Sequence, residues 1–131
     1  MKKIYLSAPV SEVLSVRSMA KFLKEVGDAE IVSTWHNEGV NLGYSQTDIE
    51  LGVASSRDWR ELKHADTLIT MTHGISPTGG MHVEFGLALA ENLDIIIIGP
   101  KRNVFHYYDS HMIHHYPTMM DFRISQGEVV K

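Results

Sequence analysis

The chain has 131 residues, 44% hydrophobic and 21% charged, which is the make-up of one ordinary globular domain over 1–131 with room for a real core. A formal charge of −4 and a pI near 6.0 argue against a protein built to grip a nucleic-acid polymer. Cysteine is absent, which removes disulfides, thiolate zinc sites and thiol nucleophiles.

In chain order, Lys3–Ala8 is a short apolar run ending at a Pro9 turn, and reads as a strand. Ser11 to about Val26 carries apolar residues at helical spacing, with Ser11 as the expected N-cap and Gly27 as the stop. Glu30–Trp35 reads as a second strand, His36–Ser45 as a loop, and Thr47 to about His64 as a helix with Ile49, Val53, Ala54 and Leu62 on one side. Thr67–Thr72 is a buried-type strand, and His73–Gly80 a turn region rich in Gly, Pro and Ser. A helix to Asn92 follows, then a strand over Asp94–Ile98 and a Gly99-Pro100 break. Asn103–His115 is rich in His and aromatics without clean periodicity, Tyr116–Met120 is the expected last strand, and the tail from Ser125 reads as a frayed end. The longest apolar run, Ile95–Ile98, is far shorter than the ~20 residues that span a bilayer. With no signal-peptide pattern, no membrane partner and a cytoplasmic location are expected.

Alternating strands and helices predict an α/β fold: a flavodoxin-like three-layer α/β/α sandwich on a parallel five-stranded sheet of order 2-1-3-4-5. Ligands of such sheets bind where the strand order reverses, here between the first strand and the Thr67–Thr72 strand. The loops Ser7–Ser11 and His73–Gly80 meet there. The second leads into Gly79-Gly80-Met81-His82-Val83-Glu84, a glycine turn opening a helix with one carboxylate on an apolar segment. That reading puts Glu84 in the first helical turn, where unpaired N–H groups and the dipole would keep it ionised. An ionised carboxylate at a crevice mouth is a candidate nucleophile; the plain alternative is a helix-end charge that only favours the dipole. Strand alternation turns Tyr5 and Ser7 toward the same crevice.

Ile4-Tyr5-Leu6-Ser7-Ala8-Pro9, the segment from Asp58 to Ala65-Asp66, and Gly80-Met81-His82-Val83-Glu84-Phe85-Gly86-Leu87-Ala88-Leu89-Ala90 resemble the nucleoside 2-deoxyribosyltransferase family, in the right order over roughly residues 3 to 105. That group includes the nucleoside 5′-monophosphate N-hydrolases. The resemblance implies cleavage of an N-glycosidic bond, with Glu84 as nucleophile, Tyr5 holding its carboxylate, and Asp58 contacting the sugar or protonating the base. His82 or His73 are further helpers to the leaving base. It implies a small-molecule nucleoside or nucleotide as partner, no metal or other cofactor, and a homodimer or higher homo-oligomer with shared sites. Ser7, Pro9, Ser76, Gly79, Gly80 and His82 would line the substrate. Asn103 and His106 would complete a neighbouring subunit's site. Typical transferases carry an acidic residue in the loop before the catalytic helix, whereas Ser76-Pro77-Thr78-Gly79 has none. Serine there is commoner in the monophosphate hydrolases, so hydrolysis stands as the alternative, with a non-catalytic nucleotide sensor as a third reading.

Trp35, Tyr44 and Trp59 could stack on a base, with Trp35 favoured as the end of the second strand; packing is the plain alternative. Arg57-Asp58-Trp59-Arg60-Glu61 reads most simply as an exposed face of paired charges, and Asp66 as a turn or capping residue. His111, His114 and His115, with His106 nearby, fall at spacings that suit one helix face. No matching acidic ligand set accompanies them, so a metal is not expected.

Overall fold

The computed structural model describes residues 1–37 and 47–127. Most of the expected His36–Ser45 loop, Tyr44 with it, and the end of the tail lie outside those residues. Five strands form one all-parallel sheet: β1 (Lys2–Ser7), β2 (Ala29–Ile31), β3 (Thr67–Met71), β4 (Asp94–Ile98) and β5 (Ile113–Tyr116), in the order β2-β1-β3-β4-β5. The helices are α1 (Val13–Val26), α2 (Asp48–His64), α3 (Gly80–Ala90) and α4 (Met119–Ser125). Right-handed crossovers put α1 on one face of the sheet, and α2 and α3 on the other. Phe22 of α1 meets Phe122 of α4 edge-on at 6.5 Å, so α4 shares the α1 face. The expected three layers and strand order are therefore present. No helix among the described residues is long and apolar enough to cross a membrane.

Burial on both faces explains the branched strands. All five residues of β3 are buried, as are Ile95, Ile97 and Ile98 of β4. Asp66 does act as a cap, accepting the Lys3 backbone N–H at 3.1 Å and the Thr67 hydroxyl at 3.0 Å, which ties β1 to the start of β3.

Several elements depart from the sequence reading. Helix α1 starts two residues later than expected, after a 3-10 turn over Val10–Glu12, and Ser11 does not cap it. The second strand is only Ala29–Ile31, not Glu30–Trp35. After Val32 N–H donates to Ile4 C=O, side chains replace the ladder. Leu6 N–H donates to Ser33 Oγ at 3.0 Å, and Leu6 C=O accepts the Trp35 indole N–H at 2.7 Å. Trp35 itself lies in a 3-10 turn, Trp35–Asn37.

Helix α2 begins where expected, at a Thr47 capping box with Glu50. Of the four residues expected on its inner side only Leu62 is buried; Ile49 and Val53 are exposed. The last strand is Ile113–Tyr116 rather than Tyr116–Met120, because Pro117 follows and Thr118 Oγ1 then accepts Asp121 N–H to cap α4. His114 and His115 thus sit on a strand and His111 before it, not together on a helix face.

Ser33→Ala is expected to leave the buried Leu6 N–H without an acceptor. Urea unfolding should show a loss of about 1–3 kcal/mol, with the m-value unchanged.

Candidate active site

Tyr5 and Ser7 are two apart on β1, so both face α3. The Tyr5 hydroxyl donates to Glu84 Oε2 at 2.5 Å, and the Ser7 hydroxyl to Oε1 at 2.7 Å. Both donors are fully buried. Helix α3 opens from Gly79 at φ 76°, a left-handed conformation that glycine adopts without strain. His82 N–H is already bonded to Gly79 C=O, so Glu84 falls in the second turn. This corrects the expectation that Glu84 would sit in the first turn among free N–H groups; no acidic residue does.

The electrostatics follow from that position. Burial pushes the Glu84 carboxyl up to about 7, against the pull of the Tyr5 and Ser7 hydrogen bonds, and the Asp58 charge adds to the rise. The dipole effect expected from the sequence is not what governs this group. Burial, with the Glu84 charge second, likewise raises the Tyr5 hydroxyl far above its usual range, so it stays a donor. Burial also raises Asp58, although the Arg57 guanidinium at 3.1 Å opposes it. Asp58 acts electrostatically on both Tyr5 and Glu84, which groups the three residues.

One further group was not singled out in the sequence. Thr70 of β3 is in register with Ser7, fully buried, and its hydroxyl has no partner among the described residues. A threonine inside a wholly buried strand is a legible signal, since buried hydroxyls ordinarily find partners.

The remaining candidates divide. Ser76 Oγ accepts Gly79 N–H at 3.1 Å, shaping the turn into α3, and Gly80 is exposed at its mouth. Pro9 is buried beyond β1. His82 turns from Glu84 toward His106, with ring centroids 5.7 Å apart. His106 is 1% exposed and packs on Phe85, so it is interior to its own chain and is not offered to a neighbouring subunit, contrary to expectation. Its Nδ1 faces the backbone N–H groups of Arg102 (3.0 Å) and Asn103 (3.3 Å). Burial, then the His82 and Lys101 charges, lowers it to about 4, so the ring is neutral.

Asn103 spends its side-chain oxygen on Phe105 N–H, capping its own turn over Val104–Tyr107. His73 is exposed and holds Arg102 through its carbonyl. Trp35, buried and bonded to Leu6, is a core residue and not an open stacking face, whereas Trp59 is half exposed. The α2 charges are not a simple solvated face: Arg57 and Asp58 are partly buried, and Glu61 accepts both the N–H and the hydroxyl of Thr34. Among the described residues no three His, Cys, Asp or Glu side chains are grouped to hold a metal.

No protein-family profile and no curated protein matches the chain. Among solved structures, it is similar to a conserved protein from Enterococcus faecalis V583, with a TM-score of 0.51 and 14% identity over 96% of this chain and 86% of that one. At that identity the likeness bears on the fold alone.

A carboxyl whose folded pKa, about 7, exceeds its ordinary 4.5 favours the folded state while protonated. That contribution is complete below pH 4.5 and is lost as pH rises through 7. Glu84→Gln is therefore expected to raise the melting temperature at pH 8, by on the order of 2–3 kcal/mol of stability, and to change it little at pH 4.5. Calorimetry across that range measures the difference.

Proposed function

We propose that this protein is a nucleoside 2-deoxyribosyltransferase-like enzyme. It cleaves the N-glycosidic bond of a (deoxy)nucleoside or nucleotide through Glu84 and passes the sugar to another base. The observation that carries the reading is the Glu84 carboxylate, gripped by Tyr5 and Ser7 where β1 and β3 end. That is the switch point of the sheet, the place where open α/β folds take ligands.

One Glu84 oxygen attacks the anomeric carbon as the carbon–nitrogen bond breaks, and the bonding pair leaves with the base. The cationic character of the sugar is greatest midway, where a fixed carboxylate stabilises it best. Asp58, held toward its protonated form by burial, supplies a proton to the departing base. A nitrogen of the incoming base then displaces Glu84 and yields its proton to Asp58. The Tyr5 and Ser7 hydroxyls keep the carboxylate aimed throughout.

Hydrolysis of a nucleoside 5′-monophosphate is the second reading, and one observation favours it. The turn before α3 carries no carboxylate, and no side chain caps the helix at Gly79. Such an end receives phosphate readily. Water then takes the place of the second base.

A homo-oligomer remains part of the proposal. It is supported by α2, a 17-residue helix with one buried residue, Leu62, and with Ile49 80% and Val53 66% exposed. Sedimentation should find a dimer or larger species that shifts to the monomer in the Ile49→Asp/Val53→Asp double variant.

Free-base release from deoxynucleosides and their 5′-monophosphates, with and without an acceptor base, tests the activity. Dependence on the acceptor supports transfer, and release from monophosphates in water supports hydrolysis. Glu84→Gln and Glu84→Ala should each lower turnover at least about a thousandfold with the fold intact. Binding without release, unchanged in Glu84→Gln, would instead mark a sensor. Because Glu84 must be ionised and Asp58 protonated, kcat/KM should follow a bell-shaped pH profile with one limb near pH 7, and Asp58→Asn should remove one of its limbs.

A further inference from the structure

We propose that Thr70 is a further positioning residue of the Glu84 site: its hydroxyl donates to Ser7 Oγ and, through Ser7, holds the carboxylate in its attacking orientation. The hydrogen bond concerns only this chain's own residues, while its catalytic consequence rests on the glycosidic reading. Paired residues of neighbouring parallel strands share a face of the sheet and lie about 4.8 Å apart. Thr70 is paired with Ser7 of β1 on one side and with Ile97 of β4 on the other. Along its own strand the residues on that face are Leu68 and Thr72. Ile97 and Leu68 are apolar, and the Thr72 hydroxyl donates to Pro100 C=O at 2.6 Å. Thr72 is also about 6.6 Å further along the chain direction, beyond the reach of two short hydroxyls. Ser7 is thus the nearest polar side chain to Thr70 on this face of the sheet.

The two hydroxyls complement each other. Ser7 gives its proton to Glu84 Oε1 at 2.7 Å, and among the described residues no donor reaches the Ser7 oxygen. The Thr70 hydroxyl is fully buried and has no partner among the described residues. One lacks a donor and the other an acceptor. A step of the Thr70 χ1 between staggered positions re-aims Oγ1 without altering the volume filled.

A buried hydroxyl left unpaired is costly, and valine would fill the same space without that cost. A threonine beside the serine that grips Glu84 therefore has its use in a state where it is paired. That state is the carboxylate one. A negative Oε1 draws on the Ser7 proton and makes the Ser7 oxygen a better acceptor, so the links from Thr70 to Ser7 and from Ser7 to Glu84 strengthen each other. The other titratable groups acting on Glu84 are Tyr5 of β1 and Asp58 of α2. Arg57 is paired with Asp58, and Glu61 acts on both Tyr5 and Asp58. Tyr5 is bonded to Oε2, so it does not stand in for Ser7 on Oε1.

The test is a carbon-13 NMR titration of the Glu84 carboxyl in the whole chain without substrate, alongside kcat and KM for base release. Thr70→Val should move the Glu84 midpoint upward by at least about half a pH unit, because support for the ionised form is lost. Thr70→Ala should move it the same way, and Thr70→Ser, which keeps the hydroxyl, should restore it. In a Ser7→Ala background Thr70→Val should add no further shift, since Thr70 acts through Ser7. In turnover, Thr70→Val should lower kcat about tenfold with KM within about twofold. A midpoint unmoved in Thr70→Val, a shift that persists without Ser7, or one that serine does not restore would overturn the proposal. The titration decides the hydrogen bond even where the wild type releases no base, a result that would overturn the glycosidic reading instead.

Discussion

The interaction on which the candidate site depends is the pair of hydroxyl-to-carboxylate hydrogen bonds joining Tyr5 and Ser7 to Glu84. They set an interior strand of the sheet against the start of a helix, and hold a carboxyl where water is scarce. Two opposed effects meet on one group. Burial favours the acid form, while two donors favour the carboxylate. The balance near neutrality leaves a group that can take either form without being locked into a permanent ion pair. No cation is bonded to Glu84 among the described residues; the Arg57 guanidinium goes to Asp58 instead. A lysine or arginine against Glu84 would have kept it charged and lowered its nucleophilicity.

The strand carrying those hydroxyls is itself clamped. Between Tyr5 and Ser7, Leu6 has both backbone groups taken by side chains, Ser33 on the N–H and Trp35 on the carbonyl. Parity assigns Tyr5 and Ser7 to the face of α3, and Leu6 to the other. One short peptide thus meets the core on one side and the candidate chemistry on the other. Precision of this kind is what a positioned nucleophile requires, since small displacements of reacting atoms are costly.

The sheet was legible because its strands are apolar runs between plain turn signals, and chirality leaves few ways to wind them. Tyr5, Ser7 and Glu84 were also within reach, since strand parity and the glycine turn aim them at one crevice. What the sequence did not disclose depends on contacts distant along the chain. The end of β2 is decided by Ser33 and Trp35 meeting Leu6, which periodicity does not register. His106 looked like a pocket residue because it is polar, whereas two backbone N–H groups and Phe85 make it an interior one. Glu84 looked like a dipole-stabilised carboxylate because its turn was counted from the wrong residue. The free energy of that group is set by burial, and burial is a property of the assembled fold.

The side-chain bonds that end β2 also bear on how the molecule behaves among its own copies. A sheet margin with open backbone groups invites another chain to extend it and begin a fibril. Here that margin is three residues long, and beyond it the donor and acceptor of Leu6 are occupied by a hydroxyl and an indole. Among the described residues an incoming strand would find only Ala29–Ile31 to pair with on this flank, a short template for edge-to-edge aggregation.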